Sequence, residues 1–426
     1  MKQDESFKLA DYQPETHALS LGYDPALSQG AVKPPAFLTS TFQFASAEDG
    51  KRFFELAYGL KEREQGEVPG LIYSRINNPN LQIFEERISA WDQTEKGSIF
   101  SSGMAAISTT FLSLLSPGDC LITTSPIYGG THFLFENILP KFGITVHTVS
   151  AGDNTLDEIK TILPTIDQKS LKAFYIETPA NPSNALVDIE EISNLAKELS
   201  EQRSSEDAKI ITIVDNTFLG PVFQRPVKHG ADLIIYSATK FIGGHSDIIA
   251  GVVTGTTVLI DSINVYRTIM GTMATPFTGW LLLRSLETLS VRMRRQAKSA
   301  KKLAKMLSEH PKVRQVNYPD LLEEGCKQFY TYKKQCSGPG SLIAFEIDGG
   351  EEEAFKVLNS FKICRLAVSL GGTESLVEHP MSMTHSDVPP ELLEKYGVKP
   401  GVIRMSVGIE HESDIKKDLL QALDTI

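Results

Sequence analysis

The chain has 426 residues, 41% hydrophobic and 22% charged, a balance that fits a globular protein with room for two or three domains. A net charge of −11 argues against nucleic acid or an anionic membrane as partner, and no apolar run reaches the roughly 18 residues that a membrane-spanning helix needs. The four cysteines (Cys120, Cys326, Cys336, Cys364) lack metal-ligand spacing, and the polar stretch 1–13 has no signal-peptide core; reduced thiols, no bound metal and a cytoplasmic location are expected.

Residues 1–72 read as an irregular arm. Pro34-Pro35 and the run Phe37 to Phe44 look extended, 47–64 fits a helix, and 65–70 a loop. Such an arm has little core of its own and is expected to lie across another subunit. From 73 to 275 the pattern alternates. Helical segments are expected at 81–91, 104–115, 131–141 and 189–200, and strands at 97–100, 120–123, 145–149, 173–177, 211–214, 232–236 and 249–255. Near-continuous apolar strands alternating with helices predict an α/β fold, a mostly parallel sheet covered on both faces. The region 276–426 reads as a smaller α/β domain. It starts with one long amphipathic helix over 277–309. Strand patterns at 341–347, 367–369 and 402–407 and helices at 351–360 and 412–422 follow. No internal repeat is present.

The residues that carry chemistry cluster at strand ends. Lys240 closes Ser237-Ala238-Thr239-Lys240, just past an apolar strand and just before Gly243-Gly244. One strand earlier, Ile211-Thr212-Ile213-Val214 ends on Asp215. A lone lysine in a turn is ordinarily solvated, and an aspartate after a strand is ordinarily a cap. Together they match what pyridoxal 5'-phosphate requires. The amine forms a Schiff base with the aldehyde, and the carboxylate keeps the pyridine nitrogen protonated so that the ring draws electrons. Burial beside a cationic ring lowers an amine pKa, which suits a group that loses and regains protons. Ser102-Gly103-Met104 opens a helix after a strand, where backbone N–H groups and the helix dipole favour phosphate; the hydroxyls of Ser237 and Thr239 add donors. Tyr128, after another strand, is placed to stack on a flat ring and to transfer protons. Tyr73 and Arg75 can hold a phosphate dianion. Arg404, inside the apolar run Val402-Ile403-Arg404-Met405, needs a buried anion, and an α-carboxylate is the planar match.

These motifs resemble the sulfur-amino-acid (trans-sulfuration) branch of fold-type I pyridoxal-phosphate enzymes, which includes methionine γ-lyases and the cystathionine synthases and lyases. The similarity rests on Tyr73-Ser-Arg75, Ser102-Gly103-Met104, Tyr128-Gly-Gly-Thr131, Glu177-Thr-Pro-Ala-Asn181-Pro182, Val214-Asp215-Asn216-Thr217, Ser237-Ala-Thr-Lys240, Val368-Ser369-Leu-Gly-Gly and Arg404-Met-Ser-Val-Gly-Ile-Glu410, spanning nearly the whole chain. It implies a central, mostly parallel seven-stranded sheet. Lys240 would be the attachment point, Asp215 the ring partner, and Gly103, Met104, Ser237 and Thr239 phosphate ligands. Tyr128 would stack on the ring and Asn181 lie near the cofactor's 3'-oxygen. Ser369 and Arg404 would bind the substrate carboxylate. It also implies a homotetramer of two tight dimers, with Tyr73 and Arg75 reaching the neighbouring subunit's phosphate.

Within the branch, cystathionine synthases and lyases carry a glutamate where this chain has Val368, facing the distal amino group. Valine suits an apolar thioether and favours γ-elimination from methionine or homocysteine. The run 379–385 and the segment Gly22-Tyr23-Asp24-Pro25 also resemble methionine γ-lyases. Those enzymes commonly have cysteine where Gly130 stands, and there the chain is more similar to the cystathionine enzymes, so γ-replacement on an O-acylhomoserine is the second expectation. The stretch between Phe44 and Tyr73 is longer than in typical members.

Overall fold

The apolar strands of the middle region build one sheet buried on both faces. The computed structural model describes residues 12–64, 67, 70–203, 209–386 and 388–426. Seven strands, β1 (Lys96–Phe100), β2 (Cys120–Ser125), β3 (Thr145–Ser150), β4 (Leu171–Glu177), β5 (Ile211–Asp215), β6 (Leu233–Ser237) and β7 (Gly251–Gly255), lie in the order β1-β7-β6-β5-β4-β2-β3. β7 runs opposite to the other six strands, which share one direction. The expected mostly parallel seven-stranded sheet is therefore the observed one. Parallel strands need crossovers, so helices cover both faces and the central strands are buried, whereas the edge strand β3 is only partly buried. Ile213, Leu233 and Ile235 fill one face, against Phe111 and Phe135; Ile234, Tyr236 and Val252 fill the other, against Phe84 and Leu283.

The second sheet is smaller. Strands β8 (Val313–Asn317), β9 (Leu342–Ile347), β10 (Arg365–Leu366), β11 (Leu376–Glu378) and β12 (Val402–Ser406) take the order β10-β11-β12-β9-β8. Ile343, Phe345, Ile403 and Met405 pack it against the helices Leu289–Ser308, Glu351–Ser360 and Glu412–Leu423.

Several expected elements end elsewhere. The helix expected over 47–64 is α2 (Ala47–Ala57), with Gly59 beyond it at φ 66°, a left-handed residue that stops a helix. Most of the expected loop 65–70, like residues 1–11, lies outside the described residues. The single helix expected over 277–309 is two, Pro276–Leu286 and Leu289–Ser308. The buried Arg292 guanidinium donates to the Ser285 carbonyl at 3.0 Å and to the Thr288 hydroxyl at 3.2 Å, which satisfies the break. The helix expected over 131–141 is broken after Phe133 by a wide turn and then by Pro140. The strand expected at 367–369 is only Arg365–Leu366; Ser369 instead sits at φ 126°.

In the arm, α1 (Pro14–Ser20) lies on α3 (Pro79–Asp92), where the buried Arg87 donates to the carbonyls of Ala18, Leu19 and Leu21. The side chains of Asn78 and Asn80 hold the backbone of Pro35 and Phe37. Leu27, Val32 and Leu38 remain exposed.

Candidate active site

Ligands of open α/β sheets sit beyond the carboxyl ends of the parallel strands. Here β4, β5 and β6 end on Glu177, Asp215 and Ser237, and all three line one cavity of about 210 Å³. Ser102, Gly103, Met104, Tyr128, Asn181, Thr217, Thr239 and Lys240 complete most of its wall.

One end of the cavity is an anion cradle. The helix α4 (Gly103–Leu114) starts there, and its cap residue Ser102 takes the Ala105 N–H. The N–H groups of Gly103 and Met104 belong to the first turn, which offers them no intrahelical acceptor. A Cβ on Gly103 would stand 3.0 Å from the Ser237 Cβ, so glycine permits the close approach of α4 to the end of β6.

Two carboxylates side by side line the same cavity. Glu177 and Asp215 are register partners on β4 and β5, and both are buried. Asp215 accepts from the Tyr175 hydroxyl at 3.1 Å and from the Thr217 N–H at 3.0 Å. Burial pushes the Asp215 carboxyl up, against the hydrogen bonds from Thr217 and Tyr175. It forms no ion pair among the described residues, so a buried carboxylate faces the cavity without a cation. Glu177 accepts the N–H of Tyr128 at 3.0 Å and that of Asn181 at 2.8 Å, tying together the loops after β2 and β4. Burial, and then the neighbouring Asp215, push its carboxyl well above the usual carboxylate range.

Lys240 reaches the cavity from the turn after β6, and its Nζ donates to the Ser369 hydroxyl at 2.9 Å. Burial, and then the Arg404 guanidinium, lower its pKa to about 8, with Glu378 opposing. Ser369 holds a positive φ that few non-glycine residues adopt, a strain that concentrates at functional sites. Arg404, at the centre of β12, is buried. Its Nη1 meets Glu378 Oε1 at 2.9 Å and Asn181 Oδ1 at 3.0 Å, and its Nη2 meets the Ser369 carbonyl at 2.9 Å. Burial pulls the guanidinium down, while Glu378 and Glu177 oppose it.

The structure thus brings together Lys240, Asp215, Tyr128, Gly103, Met104, Asn181, Ser237 and Thr239 around the cavity, with Ser369 and Arg404 in contact with its residues. It does not bring Tyr73, Arg75 or Val368 to the cavity wall of the same chain. Tyr73 and Val368 are exposed, and Arg75 donates to the Thr268 carbonyl at 2.5 Å. Sequence reading missed Glu177, Tyr175 and Glu378. Glu177 repeats the signal of Asp215, an acid at the end of an apolar strand. Glu378 repeats that of Arg404, a charge in an apolar run. Tyr175, inside a strand, carries no such signal.

The model of the family described as Cys/Met metabolism PLP-dependent enzyme matches residues 15–424. An L-methionine γ-lyase of Fusobacterium nucleatum subsp. polymorphum is 40% identical over 399 residues, 93% of this chain and 94% of that protein. A cystathionine β-lyase of Coxiella burnetii is 36% identical over 413 residues, 96% of this chain and 97% of that one. The crystal structure of cystathionine γ-lyase from Lactobacillus plantarum complexed with L-serine superposes with a TM-score of 0.84 at 32% identity, over 97% of this chain and 99% of that one.

Proposed function

The chain belongs to the Cys/Met metabolism PLP-dependent enzymes, a fold-type I family that uses pyridoxal 5'-phosphate, and we propose that within it the protein eliminates the γ-substituent of L-methionine or homocysteine. Methionine and water would give 2-oxobutanoate, ammonia and methanethiol. The residues of the cavity fit the cofactor. Asp215, a buried carboxyl with no cation partner among the described residues, suits a protonated ring nitrogen; the start of α4 suits the phosphate, and Lys240 the aldehyde.

When bound, the cofactor supplies an electron sink for the pair left when the α-proton departs. Lys240, part-neutral because its ammonium is buried beside Arg404, is the base that takes that proton. The Ser369 hydroxyl fixes where its amine points. Asp215, which accepts from Tyr175 and Thr217, would hold the ring nitrogen and favour its protonated form. Arg404 receives the α-carboxylate through Nε, which has no hydrogen-bond partner among the described residues, together with Nη2. Tyr128, fixed through its N–H by Glu177, supplies the proton that leaves with the thiol.

The observation that carries the choice of elimination is Val368. It lies outside the cavity wall, but next to Ser369 it offers no carboxylate to a distal ammonium, and a valine there suits an apolar thioether. The Fusobacterium relative named L-methionine γ-lyase supports the same choice. Gly130 favours a second reading, γ-replacement on an O-acylhomoserine, in which a thiol rather than water captures the carbon skeleton. The test supplies L-methionine and O-acetylhomoserine separately, with and without an added thiol. Release of 2-oxobutanoate from methionine alone is expected. Thioether synthesis without any 2-oxobutanoate would reverse the order of the two readings.

The proposal includes a cytoplasmic homotetramer of two dimers. The cradle at α4 offers the phosphate hydroxyls and N–H groups, while Lys240, the cation among the cavity's lining residues, is assigned to the aldehyde and leaves the phosphate without one. Tyr73 and Arg75 of a second copy would supply one to the phosphate, which agrees with their position outside the same chain's cavity. No helix among the described residues is long and apolar enough to cross a membrane.

A further inference from the structure

The scheme above leaves one buried group unused. Glu378 lies on β11 directly opposite Arg404 on β12, so backbone register alone sets its carboxylate against the guanidinium. Both side chains are almost wholly buried. Glu378 Oε1 receives Arg404 Nη1 at 2.9 Å and the Thr384 hydroxyl at 2.9 Å. Nη1 carries two hydrogens, and Glu378 and Asn181 take both. Nη2 gives one to the Ser369 carbonyl and retains one. Nε is buried and has no hydrogen-bond partner among the described residues, and neither does Glu378 Oε2. A buried N–H of a charged group without an acceptor is costly and signals a missing ligand. The pattern is selective: three anchors hold one end of a planar fork, and the donors that remain are those a carboxylate would take.

We propose that Glu378 is a positioning residue for substrate recognition, holding Arg404 by Nη1 so that Nε and the second Nη2 hydrogen stay open to the substrate α-carboxylate. This rests on the reading of Arg404 as the carboxylate site. If Glu378 only neutralised a buried charge, its loss would weaken the fold without discriminating between ligands with and without a carboxylate.

The test uses the holoenzyme and two ligands with no leaving group, L-norleucine and L-norleucinamide. Binding is read from the cofactor's visible band. Glu378→Leu should raise the norleucine Kd at least tenfold and change the norleucinamide Kd less than twofold. Glu378→Gln, which keeps an acceptor toward Nη1, should return norleucine to within threefold of the parent. A norleucine Kd within twofold of the parent in Glu378→Leu, equal weakening of both ligands, or a Gln variant as weak as Leu would each overturn the inference. Should Glu378→Leu not fold, Thr384→Val keeps the charge and removes the hydroxyl that pins it. It should raise the norleucine Kd two- to fivefold with the amide unaffected, and no change would overturn the inference equally. Arg404→Ala separates the two readings. If it keeps the preference for norleucine over the amide, Arg404 is not the carboxylate site. If it loses that preference while Glu378→Leu keeps it, only the role of Glu378 fails.

Discussion

Lys240 is placed so that its amine is reactive near neutral pH, and this can be measured without any substrate. Its pKa falls from 10.5 to about 8, through burial first and the Arg404 charge second. A lowered amine pKa means more neutral amine below the shifted value. At pH 7 the neutral fraction is about one in eleven with a pKa near 8, against about one in 3,000 for an ordinary lysine, a gain of roughly 300-fold. The assay removes the cofactor and mixes the apoprotein with pyridoxal 5'-phosphate by stopped flow at a series of pH values. Covalent attachment is followed in the visible, and each rate is divided by that of Nα-acetyl-lysine, which cancels the ionisations of the aldehyde itself. The divided rate should be largest below pH 8 and decline above it, as the protein amine becomes fully neutral while the free lysine continues to gain. Glu378 opposes the shift, so Glu378→Gln should move the midpoint down; loss of Arg404 should move it up. A ratio independent of pH up to about 9.5 would refute the reasoning, since Lys240 would then titrate as a solvated lysine.

Three further outcomes are expected. Mixing Arg75→Ala subunits with Lys240→Ala subunits should restore activity to about a quarter of the parent's sites by random pairing of dimers, because each mixed dimer rebuilds one intact site; no recovery after verified subunit exchange would place Arg75 outside the neighbour's site. Val368→Glu should lower kcat/KM for methionine at least tenfold and raise it for cystathionine, measured as 2-oxobutanoate release; an unchanged preference would show that this exposed position does not set specificity. At Gly130 an added Cβ would stand 2.7 Å from the Tyr128 ring and 3.2 Å from the Met104 sulfur. Gly130→Cys should therefore displace Tyr128 and change kcat by more than threefold, with thermal stability altered by about 1 kcal/mol or less because a flexible ring can move; identical kcat would mean that the ring is not held there.

Sequence reading reached the parallel sheet and the residues at its edge for one reason. Strands buried on both faces must be apolar throughout, so their ends stand out, and Asp215 and Lys240 are polar residues placed where those runs stop. It erred where a local pattern competes with a distant partner. The helix over 277–309 is periodic throughout, yet it breaks after Leu286, where the buried Arg292, from the next helix, donates to the Ser285 carbonyl. Ser369 reads as part of a strand, yet its contact with Lys240 comes with a positive φ.

The chain alone therefore determined the α/β class, the cofactor chemistry and the identity of the strand-end residues, because these follow from hydrophobic period and from which side chains interrupt it. Tertiary structure decided the partners. Glu177 bridges two loops, and Glu378 meets Arg404 across a strand pair whose members lie 26 residues apart in sequence. Such contacts depend on strand register and on desolvation, and neither is encoded at the residue that experiences them.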